Sequence, residues 1–265
     1  MKTIANYPAN KYLTTEIQQI TDNLVVEESL LIYINGDPFT MTMRTPGFEQ
    51  ELTIGLLFTE KILDQFTPYE FIIVEKRNGV TTAVNVLIEK KYLKTEYLDK
   101  RNLLSVSSCG ICGKLEKEQI RDCNQPIISN LKLSNAQLLT FFDEMKKKQS
   151  IFSQTSGCHA AAIFNQEGKC LSIMEDIGRH NAVDKVIGDL LIREIEKKDL
   201  ILLVSGRISY EIVTKAFVAG IPILAAISAT SSLAVDLADE MGITLVGFCR
   251  EDRATCYTHN DRITN

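Results

Sequence analysis

The sequence predicts an α/β protein, α+β overall, with a three-layer α/β sandwich in its second half and a smaller, strand-rich first half. Three observations lead there. Residues 200–204, 221–227 and 243–248 are short, almost wholly apolar runs, the signature of strands buried on both faces. Stretches of helical periodicity fill the gaps between them, which is the alternation of a sheet covered by helices. Before residue 134 the pattern differs, with extended segments joined by Asn-Gly turns and one helix among them.

Taken in order, residues 24–34 form an extended apolar segment, Asn35, Gly36, Asp37 and Pro38 turn the chain, and residues 39–44 return as a second strand. Pro46 and Gly47 lead into a helix over 49–61 that places Leu52, Leu56 and Leu57 on one face. Strands follow at 71–76 and 81–88 around Asn78 and Gly79, and the charged stretch 89–101 reads as a solvated connection. Residues 102–106 are extended and apolar, and a short amphipathic helix begins near Leu115. Residues 126–133 join the first domain, 1–130, to the second, 131–265. There a helix over 138–148 precedes a hairpin of 159–164 and 169–174, and a helix over 181–195 carries Val183, Val186, Ile187, Leu190 and Leu191 on one stripe. The three buried strands and their helices complete the domain.

A chain of 265 residues exceeds the usual size of one domain and buries a sizeable core. Hydrophobic residues make up 45% and charged residues 24%, so the whole chain reads as folded. The net charge of −5 argues against a nucleic-acid binder, whose domains are usually basic. Residues 1–13 hold no apolar signal core, and no stretch approaches the roughly 20 apolar residues of a membrane span. Seven cysteines, an odd number without a signal peptide, fit a cytoplasmic protein whose thiols are kept reduced.

The octet SSCGICGK, 107–114, carries two of those cysteines with a glycine after each, near a predicted helix start. The helix dipole, free backbone N–H groups and Lys114 favour thiolate at Cys109 and Cys112. Three readings compete. Half of a structural zinc site needs a second ligand pair, and Cys123, Cys158 with His159, Cys170, Cys249, Cys256 and His259 contain no second Cys-x-x-Cys, so no metal is expected. A thioredoxin-like redox pair expects a βαβ unit around it, which the upstream sequence does not resemble. A persulfide-carrying cysteine needs one accessible thiolate and tolerates a neighbour.

Ligands of such sheets bind beyond the carboxyl ends of the strands. Those ends carry Ser205, Gly206 and Arg207, then residues 228–232, then 250–253. Ser205 or Ser209, and Ser231 or Ser232, read equally as helix caps, and no dinucleotide fingerprint or P-loop is present. Two arginine-bearing loops at one edge nevertheless suit phosphate groups. The segment EDIGRHNAVDK, 175–185, adds Arg179, His180, Asn181 and Asp184 behind a glycine, more than a helix cap requires.

Together SSCGICGK, TSGCHAAAIF from 155, EDIGRHNAVDKVIG from 175, SGRISYEIVTKAFVAGIPILAAISATSSLAVDLA from 205 and GFCREDR from 247 resemble the formate dehydrogenase accessory sulfurtransferases, the FdhD family. The early Asn-Gly hairpin and MRTPGFEQELTIGLLFTEKIL are similar to that family's first domain, so the resemblance covers nearly the whole chain. Residues 58–62 lack the family's Glu-Gly, Ser156 stands where glycine is common, and Met174 replaces an arginine, which removes one anion contact.

The resemblance implies a cytidine-deaminase-like second domain and a sulfur carrier that works between a cysteine desulfurase and a formate dehydrogenase. Cys109 is implied to accept the sulfur as a persulfide and to pass it to the molybdenum of bis(molybdopterin guanine dinucleotide), a client of which guanine nucleotide is a fragment. Cys112 either assists or resolves the persulfide to a disulfide. The implied cofactor site comprises Phe248, Cys249, Arg250, Glu251, Asp252 and Arg253, with Arg250 and Arg253 on phosphate and Asp252 on a guanine edge. Arg207 and Arg179, His180 and Asn181 complete it. A homodimer is implied. The plain structural alternative for Arg250 and Arg253 is a solvated loop paired with Glu251 and Asp252. A zinc deaminase is excluded, because His159 is followed by Ala160 and Ala161 and Pro222 by Ile223, where that chemistry needs His-x-Glu and Pro-Cys-x-x-Cys. A cofactor-binding chaperone whose cysteines do no chemistry is the other alternative.

Overall fold

The computed structural model describes residues 2–64, 67–93, 125–196 and 198–265. Strands β1 (Ile4–Tyr12) and β2 (Ile17–Val25) form an antiparallel hairpin. Strands β3 (Glu28–Ile34) and β4 (Asp37–Arg44), helix α1 (Glu49–Thr59), and strands β5 (Glu70–Arg77) and β6 (Val80–Leu87) build a four-stranded sheet of order β4-β3-β6-β5 with one helix. The apolar segment 24–34 is therefore two strands and not one. Leu24 and Val25 end β2, which pairs with β1, whereas residues 28–34 form β3, which pairs with β4 and β6, and the chain breaks between Val25 and Glu28 to pass from one sheet to the other.

The second half runs β7 (Leu133–Ser134), α2 (Asn135–Lys148), α3 (Ser150–Thr155), β8 (His159–Phe164), β9 (Cys170–Asp176), α4 (Arg179–Ile192), β10 (Ile201–Val204), α5 (Tyr210–Val218), β11 (Ile223–Ala226), α6 (Ser232–Glu240), β12 (Thr244–Arg250), β13 (Arg253–Cys256) and β14 (Ile263–Thr264). Six of these strands make one sheet of order β13-β12-β11-β10-β8-β9, in which β10, β11 and β12 are parallel. Local chemistry sets the helix starts. Ser134 accepts from the Gln137 amide at 3.1 Å while the Gln137 side chain accepts from the Ser134 amide at 3.0 Å, a reciprocal cap, and three lysines close the last turn of α2. Ser231 caps α6 through the Ala234 amide.

Alternation along the strands divides the apolar residues between two faces. Ala160, Ala162, Ile201, Leu203, Ile223, Ala225 and Val246 pack with Leu138, Phe141, Phe142 and Met145 of α2. Ala161, Ile163, Leu202, Val204, Leu224 and Leu245 pack with α4, α5 and α6 on the other side. The result is the three-layer arrangement, helix, sheet, helices.

Helix α1 lies against α4 and, through Leu52 and Leu56, against Leu30, Ile32 and Val84 of the four-stranded sheet. It is buried on every side, so the single apolar face read from Leu52, Leu56 and Leu57 understates it. The helices meet backbone to backbone. A Cβ on Gly55 would stand 1.8 Å from the Asp184 carbonyl oxygen, and one on Gly188 would stand 1.9 Å from that of Glu51. Two buried ion pairs flank the crossing. Lys215 of α5 holds Asp184 at 2.8 Å beside Thr59, and Lys185 holds Asp176 at 2.7 Å. The expected connection over 94–101, the extended run 102–106 and the short helix after Leu115 lie outside the described residues.

Candidate functional site at the carboxyl edge of the six-stranded sheet

Because β8 runs antiparallel to β10, its first residue lies at the same edge as the carboxyl ends of β10, β11 and β12. His159, Asp176, Arg179, Ser205 and Arg250 therefore gather at one edge from five chain segments. Under this edge lies a cavity of about 560 Å³. Helices α2 and α3 supply its apolar wall through Leu139, Phe142 and Phe152, the strand ends supply Cys158, His159, Ser205 and Cys249, and Lys146, Arg250 and Glu251 place charges on it.

The residues expected from the sequence divide into three groups. Cys249, Arg250 and Glu251 line the cavity. Phe248, Asp252, Arg253, Arg207 and Arg179 are at the same edge and do not line it. Arg250 and Arg253 pair across a tight β12–β13 hairpin, and both are exposed. Phe248 has a left-handed backbone, φ +54°, in a stretch where the strand register shifts between Gly247 and Arg250. His180 and Asn181 are buried, and Asn181 is held by the protein itself, donating to the Met43 carbonyl at 2.8 Å and to Asp176 at 3.0 Å. Cys109 and Cys112 lie outside the described residues.

The segment 175–185 thus does two jobs. Asp176, Asn181, Asp184 and Lys185 are turned inward, where Lys185 also donates to the Thr45 carbonyl at 3.0 Å and the Thr45 amide donates to Asp176 at 3.2 Å. These bonds join the start of α4 to the end of β4. Arg179 is turned to the edge, and its Nε is buried without a hydrogen-bond partner among the described residues. An unsatisfied buried guanidinium donor is costly, and an anionic or carbonyl oxygen brought to this edge would satisfy it. The cap position of α4 is Gly178, whose missing side chain leaves the first-turn amides without a side-chain acceptor.

Thiol chemistry is disfavoured across the described part of the chain. Burial pushes the Cys158 thiol up to about 12, reinforced by Glu175, to which it donates at 3.3 Å. Burial, with a contribution from Cys256, takes Cys249 to about 12, and burial is the main cause that raises Cys170 and Cys256. Glu175 also accepts from the Ile151 and Phe152 amides at 2.9 and 2.7 Å, which fixes α3 over the cavity. His180 is pushed down to about 4 by burial and then by Arg179 and Lys215, and His159 is lowered by burial and Arg179. Among the described residues, no three or more His, Cys, Asp or Glu side chains converge as a metal site, and no helix is long and apolar enough to cross a membrane.

Sequence reasoning did not find the α2 and α3 wall or the roles of Cys158 and His159 here. The available signal was a histidine placed directly before the alanine run of a buried strand. Ser205, expected as a helix cap, instead accepts from the Ala160 amide at 2.9 Å.

Comparison with known proteins agrees with this architecture. The chain is 39% identical over 253 residues to a protein of Saccharolobus solfataricus, covering 94% of each, and 43% identical over 254 residues to one of Mycobacterium bovis, covering 92% of each; both bear the name sulfur carrier protein FdhD. A crystal structure of a protein from Desulfotalea psychrophila, proposed to be a formate dehydrogenase accessory protein, superposes with a TM-score of 0.79 over 99% of this chain and all of that one. At 23% identity this is a likeness of fold. The FdhD/NarQ family model matches residues 25–264, which span both sheets and the whole carboxyl edge, and the chain belongs to the FdhD/NarQ family.

Proposed function

We propose that the protein is a sulfur carrier, a sulfurtransferase of the cytoplasm that takes sulfur from a cysteine desulfurase as a persulfide on Cys109 and delivers it to a molybdenum cofactor destined for formate dehydrogenase. The observation that carries this reading is the state of the thiols. Each described free cysteine is shifted away from thiolate, which leaves Cys109, Cys112 and Cys123 for sulfur transfer, and of these Cys109 and Cys112 are the pair followed by glycines. The name carried by the relatives from S. solfataricus and M. bovis supports the same role.

In the loading step the Cys109 thiolate attacks the outer sulfur of the desulfurase persulfide, a new S–S bond forms, and the desulfurase cysteine leaves as thiolate. On delivery that bond breaks, Cys109 leaves as thiolate, and an electron pair from the acceptor reduces the carried sulfur. The client, bis(molybdopterin guanine dinucleotide), is anionic and carries guanine bases. The edge offers it the unpartnered Arg179 Nε, exposed Arg207, Arg250 and Arg253, and the uncapped start of α4. A homodimer presenting two such edges fits a client with two nucleotides.

The test is incubation with a cysteine desulfurase and cysteine, followed by mass spectrometry of the intact protein and its peptides. Sulfur is expected on the peptide containing Cys109. The Cys109→Ala protein is expected to stay folded while losing both loading and formate dehydrogenase maturation, and Cys112→Ala is expected to lose less. Undiminished loading of Cys109→Ala would remove that residue from the mechanism. Absence of loading in a wild type that still binds GDP would turn the reading to a cofactor chaperone.

A further inference from the structure

We propose that His159 is a ligand-binding residue of the carboxyl-edge cavity and Ser205 its positioning residue: the serine hydroxyl donates to Nδ1, so the imidazole presents Nε2–H to a hydrogen-bond acceptor on the bound group. The inference rests on the proposed function for the identity of the ligand, and for the state of the ring on the contact with Ser205 together with the burial of the imidazole beside Arg179.

The strand ends fix the serine first. The Ser205 amide donates to the Ala160 carbonyl and the Ala160 amide donates to Ser205 Oγ, each at 2.9 Å, so the hydroxyl oxygen is pinned where β8 meets β10. One of its lone pairs is thereby used. Its proton has one acceptor in reach among the described residues, His159 Nδ1 at 3.4 Å. Gly206 lies on the same side, and a Cβ there would stand 3.3 Å from Nδ1 and 3.3 Å from Arg179 Cβ. A side chain there would be crowded against the ring and the arginine, which would have to shift by a few tenths of an ångström.

With Nδ1 turned to Ser205 and Gly206, the other nitrogen remains. Nε2 has no hydrogen-bond partner among the described residues, and His159 lines the cavity. Burial and the neighbouring Arg179 lower the His159 pKa from its ordinary value, so at neutral pH the ring carries one proton. A neutral imidazole that accepts at Nδ1 must carry that proton on Nε2. The cavity then holds a fixed neutral donor beside an apolar wall of Leu139, Phe142 and Phe152. Such a place selects a flat group bearing a carbonyl or ring-nitrogen acceptor, and a donor-only group would leave Nε2–H unpaired at a cost.

The experiment is ¹⁵N NMR of the histidine side chains, tractable because the chain holds three histidines, at 159, 180 and 259, assignable by single His→Gln variants. In the free wild-type protein at pH 7 the His159 signals are expected to show Nδ1 bare and Nε2 protonated. Ser205→Ala is expected to populate both tautomers, and Ser205→Thr, which keeps the hydroxyl, to retain the wild-type pattern. A wild-type ring protonated at Nδ1, or a Ser205→Ala ring unchanged, overturns the positioning role.

GDP is the probe for the ligand. Loss of one hydrogen bond predicts about three- to ten-fold weaker binding for His159→Ala, with most of it restored in His159→Gln, whose amide also donates. Equal affinity of wild type and His159→Ala overturns the binding role. Failure of GDP to bind wild type would count against the cofactor part of the proposed function as well, whereas the tautomer, read without ligand, still decides the role of Ser205.

Discussion

At position 180 a histidine that is 8% exposed has its Nε2 3.4 Å from Ser209 Oγ and 3.9 Å from Glu211, with Arg179 and Lys215 opposing its protonation. Its folded-state pKa of about 4 lies below the ordinary 6.5. Between these values the unfolded chain binds the proton and the folded chain does not, so acid favours unfolding. The contribution is complete above pH 6.5 and is lost as pH falls toward 4, amounting to about 3 kcal/mol at most. Urea unfolding at pH 7.5, 6.5, 5.5 and 4.5 should show this loss in wild type and a shallower one in His180→Asn. The neighbouring residues show what sequence alone could tell. Arg179, His180, Asn181 and Asp184 read as one polar group behind a glycine, yet Asn181 and Asp184 face protein partners and Arg179 faces the edge. Side-chain direction along a helix was legible from its period, but what stood on each side was not. Arg250, expected on phosphate from its place in an arginine-bearing strand-end loop and singled out by the family resemblance, is exposed at the hairpin and lines the cavity. Charge-assisted hydrogen bonds contribute roughly 1.5–3 kcal/mol. Calorimetric titration of GDP into Arg250→Ala should therefore show binding weakened by about ten-fold or more, with sulfur loading on Cys109 retained.

Among the elements, α1 and α4 show the largest gap between local pattern and outcome. Helix α1 was legible as a helix, and its bounds moved by only two residues, from 61 to Thr59. Its all-round burial was not legible, because an apolar stripe records one partner, whereas this helix has α4 on one side and the four-stranded sheet on another. Gly55 and Gly188 make that packing possible by allowing backbones to touch. Alanine at either position puts a methyl group within 2 Å of a main-chain oxygen, which no rotamer change relieves, and the helices must part. Overpacking of a close-packed core costs about 1–3 kcal/mol and more where backbone has to move. Chemical denaturation of Gly55→Ala and Gly188→Ala should place both at or beyond the upper end of that range, and a loss under about 0.5 kcal/mol, the scale of ordinary surface changes, would contradict the contact. The β1–β2 hairpin is the other element that the sequence left unread. It shows little apolar alternation because most of its residues are exposed, and the family match begins only at residue 25, at its end.

For the molecule as a whole, the sequence suggested two domains meeting near residue 130, and the packing joins them closely. The largest apolar cluster contains Ile54, Leu57, Phe58 and Val86 together with Val183, Ile187, Leu202 and Leu245, residues from both halves. Hydrogen bonds such as Lys185 to Thr45, 140 positions apart, and Asn181 to Met43, 138 apart, tie the same surfaces. We expect one cooperative thermal transition with equal calorimetric and van't Hoff enthalpies; two separate transitions would assign each half its own core. By itself the sequence determined the α/β class, the central strands and the main helices of the second half and the glycine-flanked cysteine pair, and it pointed to the carboxyl edge as the place for a ligand. Each of these depends on period, turn chemistry or residue spacing over a few positions, which a linear chain records. Only the tertiary structure decided that 24–34 serves two sheets, that half of the segment 175–185 is internal mortar, and that α2 and α3 wall a cavity over His159 and Ser205. Those outcomes depend on which surfaces meet between separate chain segments, as far as 131 positions apart for Thr45 and Asp176, and no local pattern carries that information, because burial and hydrogen-bond satisfaction are properties of the assembled contacts.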